Sequence, residues 1–172
     1  MEKTREEMVK WVQKVAKAQE IHCEVEHEEK RDIIRMGFRL NSAIAVVNVV
    51  IVAEENGFWS YGFIDNNAGK RLSEVAEFLM RANVNDIGHF SLDYDEGQIS
   101  YMFHSSYRVY EEDVDLIFLW HLPVIRFDDY GDALLKVILG CATPKEAFEE
   151  SIKTITAQEN GEENEKTGDE KN

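Results

Sequence analysis

Four polar residues, His22, Glu24, Glu26 and Glu28, recur at every second position. On a strand they share one face, and their nitrogen and oxygen atoms are of the kind that holds a divalent cation. The same alternation arises without a metal if Ile21, Cys23 and Val25 turn inward and the polar face is solvated. His22 and Cys23 then point to opposite faces and cannot share an ion. A solvated strand is therefore expected. Asp93, Asp95 and Glu96 before Gly97 have the start of a calcium loop, but that loop needs further oxygen ligands, a distal Glu and flanking helices. Here alternating runs flank the turn, so a charged hairpin tip is expected. Cys141 could act as a nucleophile with His121 as its base. It follows Gly140 at the end of a helical pattern, where the helix dipole disfavours a thiolate, and a buried packing cysteine is expected. His104, Ser105 and Ser106 lack the Gly-x-Ser-x-Gly setting of a hydrolase nucleophile. No glycine-rich phosphate cradle is present. No catalytic, cofactor-binding or metal-ligating residue is assigned on these grounds.

The 172 residues carry 19 basic and 34 acidic side chains, a formal net charge of −15. Such a chain lacks the basic face that grips phosphate backbone, which argues against nucleic acid as a partner. With 44% hydrophobic residues a single packed core is expected. Cys23 and Cys141 make no disulfide framework and suit a reducing compartment. Met1 to Lys10 is charged throughout and has no signal-peptide core. The longest apolar run, Ala43 to Ala53, is far short of a membrane span. No membrane association and a cytoplasmic location are the expectations.

The elements that must position any site follow from periodicity. Met8, Trp11, Val12 and Val15 mark an amphipathic helix over roughly Glu2 to Gln19. Ile21, Cys23 and Val25, then Ile34, Met36, Phe38 and Leu40, alternate as two strands. Ala43 to Val52 is β-branched and apolar on both faces, which predicts a central strand covered on both sides. Asn56-Gly57 predicts a hairpin into a strand from Phe58 to Ile64. Asn66 or Asn67 is placed to cap the next helix, whose stripe is Leu72, Val75, Ala76, Leu79 and Asn83. A hairpin through Asp95-Glu96-Gly97 follows, then a long helix from Tyr110 that contains Pro123. Gly140 ends that helix. Thr143-Pro144-Lys145-Glu146 is a full start signal for the last one. After Gln158 six acidic residues face only Lys166 and Lys171, with no apolar residue between them. The expected layout is one domain over residues 1–158 and an acidic disordered tail over 159–172. The order α-β-β-β-β-α-β-β-α-α predicts an α+β fold, an antiparallel sheet with helices packed on it.

Several of these local motifs resemble a known family. They are Arg81-Ala82-Asn83, Gly88-His89-Phe90, Asp95-Glu96-Gly97, Asp128-Asp129-Tyr130, Gly140 and Thr143-Pro144-Lys145-Glu146-Ala147. Together they resemble the YbjN-like family of bacterial sensory-transduction regulators from about Leu72 to Glu150. The chain departs from that pattern at Asp132, where the family usually has Pro, and at His89, where Asn is common. The resemblance implies a type III secretion chaperone-like fold and a non-catalytic module with a protein partner.

Phe78 lies off the apolar stripe of its helix, with Ala82 beside it. These two are the candidate contacts for a partner or for a homodimer. Trp59, Tyr61 and Phe63 alternate with Phe58, Ser60, Gly62 and Ile64, so both sides of that strand could be covered. The expected function is a protein-binding regulator or chaperone-like module. The alternatives are a small-ligand sensor with a cavity between sheet and helices, and a small enzyme, whose polar groups would converge in one cleft.

Overall fold

The computed structural model describes residues 3–84 and 86–168, with side chains to residue 157. Helix α1 (Arg5–Ala18) leads into four strands, β1 (Glu24–His27), β2 (Asp32–Arg39), β3 (Val46–Ala53) and β4 (Gly57–Asn67). Helix α2 (Leu72–Ala82), strands β5 (His89–Leu92) and β6 (Gln98–Ser106), a 3₁₀ turn (Tyr107–Val109) and helices α3 (Asp113–Leu139) and α4 (Pro144–Gly168) complete the chain. All neighbouring strands are antiparallel, in the order β1-β2-β3-β4-β6-β5. The fold is α+β with the expected order of elements.

Helix α3 rests on the middle of the sheet, against β3, β4 and β6. Its seat is built around Pro123. A proline has no N–H, so the Leu119 carbonyl four residues earlier loses its helical partner. The buried Ser60 hydroxyl on β4 donates to that carbonyl. Two residues on, Gly62 leaves the space that the proline ring needs: a Cβ there would sit 2.7 Å from Pro123 Cβ and 3.2 Å from Phe127. α1 packs against α3 and β3, while α2 and α4 pack on each other and on α3.

The helices and the core therefore gather on one side of the sheet. In β3, Val47, Val49, Ile51 and Ala53 are buried, but Val46 and Asn48 are exposed and Val50 and Val52 only partly covered. The expectation that β3 is covered on both faces is overturned, because no element packs on its second face among the described residues.

The expected partner contacts are also corrected. Phe78 is fully buried and Ala82 nearly so. Helix α4 covers the flank of α2 on which they sit. The Phe78 ring meets Tyr130 and Phe148 edge to face, at 6.3 and 6.5 Å between centroids. Asn67 belongs to the end of β4 and bonds Gly69 N–H and the Glu96 carbonyl instead of capping α2. The helix has no side-chain cap. Thr143 and Glu146 do form the expected capping box, and the Thr143 hydroxyl, with its N–H, donates to the Glu146 carboxylate and holds it below its ordinary range. The backbone of α4 is helical to Gly168, past Gln158, where a disordered tail is expected; residues 169–172 of that tail lie outside the described residues.

The seat of α3 can be tested by a double-mutant cycle. Ser60→Ala strands the buried Leu119 carbonyl and is expected to cost about 1–3 kcal/mol in urea unfolding. Pro123→Ala restores a helical N–H, so the same Ser60→Ala change should cost much less in that background. Equal costs in both backgrounds would show that the hydroxyl does not serve the carbonyl.

Candidate functional site

The second face of the sheet carries the outward residues of every strand. Register places them in continuous rows. One row runs Glu24, Arg35, Val50, Tyr61, Met102, His89 from edge to edge. The next runs Glu26, Ile33, Val52, Trp59, His104. A third holds Gly37, Asn48, Phe63, Ser100 and Ser91.

Along β4 this face is aromatic. Trp59 and Tyr61 stack with centroids 6.2 Å apart, and Tyr61 and Phe63 at 6.0 Å. His104 on β6 lies 4.7 Å from the Trp59 ring. All three aromatic residues are only partly covered. The β3 valines border them on one side and Met102 on the other, with Val46 41% exposed. The aromatics are flanked rather than overlain, which leaves an apolar band open at the middle of the sheet. Partial burial raises the Tyr61 hydroxyl above its ordinary pKa.

Among the described residues, the side chains whose types suggest chemistry stand apart from one another. His22 Nε2 is 3.8 Å from Glu24, and both are exposed. Glu26 pairs with Arg35 at 2.9 Å and Glu28 with Arg31 at 2.7 Å. Among the described residues no three His, Cys, Asp or Glu side chains gather as a metal site. The Asp93 carboxylate accepts from Asp95 and Glu96 N–H, and Gly97 takes positive φ, as a hairpin tip requires. Ser105 bonds Tyr110, and Ser106 caps the 3₁₀ turn. Cys141 is exposed, against the expectation of a packing cysteine. It lies past the end of α3, whereas His121 stands some five turns back along that helix, roughly 27 Å away at the usual rise.

A cleft of about 690 Å³ opens beside α3, walled by the Asn41–Ala43 turn and α4. It lies outside the sheet–helix interface where a sensor cavity is expected. Its carboxylates are occupied with holding its walls. Asp128 accepts from Asn41 and Ser42 N–H at 2.7 and 3.0 Å, Asp132 from Ala43 N–H at 2.7 Å, and Glu150 pairs with Lys136 at 2.7 Å.

A half-buried ion pair from α3 fastens the segment after α2. Arg126 lies 2.9 Å from both Asp86 oxygens, and Tyr101 Oη accepts the Gly88 N–H at 3.0 Å. Asn83 clasps Phe90, accepting its N–H at 2.6 Å and donating to its carbonyl at 3.0 Å. No protein-family model matches the chain, and no curated protein matches it.

The buried tyrosines set an alkaline limit. Burial, reinforced by Asp86, pushes the Tyr101 hydroxyl up to about 12, and burial pushes Tyr110 to about 12 as well. An unfolded tyrosine titrates near ~10. With the folded value higher, the stabilising contribution is fully present below about pH 10 and is lost as pH rises toward about 12. Urea midpoints are expected to hold steady up to about pH 10 and then fall. The Tyr101→Phe, Tyr110→Phe double variant should fall less steeply over the same range, and a decline beginning near pH 8 in both proteins would contradict this account.

Proposed function

We propose that this chain is a non-catalytic protein-binding domain that docks its partner on the open face of its sheet. The stacked, partly exposed row Trp59-Tyr61-Phe63 carries this reading. Aromatic residues that are already ordered contribute large contact area at low entropic cost, and contiguous apolar patches of this kind mark interaction sites. The titratable groups around the row are spread along it, with His104 beside Trp59, Glu54 and Arg31 acting on Tyr61 from one end, and Glu24, Glu26 and Arg35 toward the β1 edge, where Glu26 pairs with Arg35. The local resemblance to YbjN-like regulators, with their secretion chaperone-like fold, supports the same reading.

No helix of the described chain is long and apolar enough to cross a membrane. The free thiols of Cys23 and Cys141 support work in a reducing compartment such as the cytoplasm. A small-ligand sensor would use the cleft beside α3. Its carboxylates Asp128 and Asp132 are committed to the turn, Asp129 to Arg126 and Glu150 to Lys136, which favours the sheet face.

Photo-crosslinking in cells tests the docking surface. Photoreactive p-benzoylphenylalanine in place of Tyr61 is expected to give covalent protein adducts on irradiation. The same group in place of Lys153, exposed on α4, should give none. Absence of adducts from position 61, or equal adducts from both positions, would count against docking on this face.

A further inference from the structure

We infer that the occupant of the open face is a second copy of this chain, with two sheets packed back to back about a two-fold axis; this rests on the docking reading above. Charge points to it first. At a net −15, two copies repel each other across most of their surfaces. The sheet face is different. Its outward charges within the paired strands are Glu24, Glu26 and Asp65 against Arg35 and Arg39, and its centre is uncharged. A basic partner would gain little on such a face, whereas two copies of the chain each bring only about one net negative charge there.

Shape points the same way. A two-fold axis lying between the sheets and running along the strands, midway between β3 and β4, lays β3 of one copy over β4 of the other. Val50 and Val52 of one copy then cover Tyr61 and Trp59 of the other, because these pairs share rows in the register. The aliphatic strand meets the aromatic one twice, so the patch is self-complementary. The same operation lays edge β1 over edge β5, with Glu24 opposite His89, polar against polar at the rim. Two sheets packed this way stand about 10 Å apart with their strands nearly aligned.

The area suffices. The six strands, from four residues long at the two edges to eleven in β4, span roughly 700 Å² in projection at about 3.3 Å per residue and about 4.8 Å between strands. Side-chain relief raises the accessible area toward the ~800 Å² per partner of a standard stable interface.

Sedimentation equilibrium of the full chain at about 50 μM, combined with the mass of the position-61 crosslink, decides the matter. The expected results are twice the chain mass for the wild type and a crosslinked product of twice the chain mass. Tyr61→Glu should weaken self-association at least 100-fold and leave circular dichroism unchanged, since the side chain stands on the open face. Met102→Lys, on the adjoining strand, takes its place if Tyr61→Glu fails to fold. A wild type that sediments as a monomer overturns the second copy, as does a folded Tyr61→Glu or Met102→Lys variant that remains a dimer. A position-61 adduct of some other mass overturns the second copy but leaves docking on this face standing; no adduct at all removes both.

Discussion

One missing hydrogen-bond donor organises the molecule. Pro123 interrupts the ladder of α3, and the carbonyl it leaves behind must be satisfied in a place that water does not reach. Ser60 satisfies it from the sheet, and Gly62 lets the proline ring approach. The longest helix is thereby tied to the central strand at one point and in one orientation. α1 fills the space on one side of it, and α2 and α4 the space on the other. The cost is topological: the helices all serve one face of a six-stranded sheet, and the chain has no further element among the described residues to cover the other.

The polar residues that look most like chemistry are used to close loops around that arrangement. Asp128 and Asp132 project from α3 and accept the N–H groups of the Asn41–Ala43 turn, which reverses into β3 through the positive φ of Ala45. Asn83 borrows the backbone of Phe90, and Arg126 reaches Asp86 from α3. Each bond answers a backbone group or a charge that would otherwise be stranded where the chain changes direction. Polar groups spent in this way are held by their partners.

Periodicity made the elements legible, and their order survives intact. What it could not supply was the far side of each element. Phe78 lies off the stripe of α2 when that helix is considered alone; α4, some seventy residues later in the chain, turns its flank into core. The apolar run of β3, interrupted by Asn48, suggests two covered faces, because Val50 and Val52 are as β-branched as Val49 and Ile51. Their actual neighbours are Tyr61 and Trp59 across the strand, not a helix above. Asn67 carries a good capping side chain, yet β4 runs on through it and the hairpin tip at Glu96 claims it. The alternation of Trp59, Tyr61 and Phe63 was visible from the start. Only the strand register showed that the valines and Met102 flank it to make one surface.

The seat of α3 and the open face are two consequences of the same strand. On its inner side β4 carries Ser60 and Gly62, small residues that let a helix come close. On its outer side it carries Trp59, Tyr61 and Phe63, the largest available. A strand buried on one side only needs no aromatic row facing outward, since polar residues would keep that face in water at no loss to the core. Large side chains standing in register with valines instead raise the free energy of leaving the face bare, by an amount that grows with the apolar area exposed. The acidic excess spread over the rest of the chain opposes self-association more strongly there than on this face, where three carboxylates stand against two guanidiniums. Apolar area that favours contact and net charge that restricts its place act together, and both select the same face.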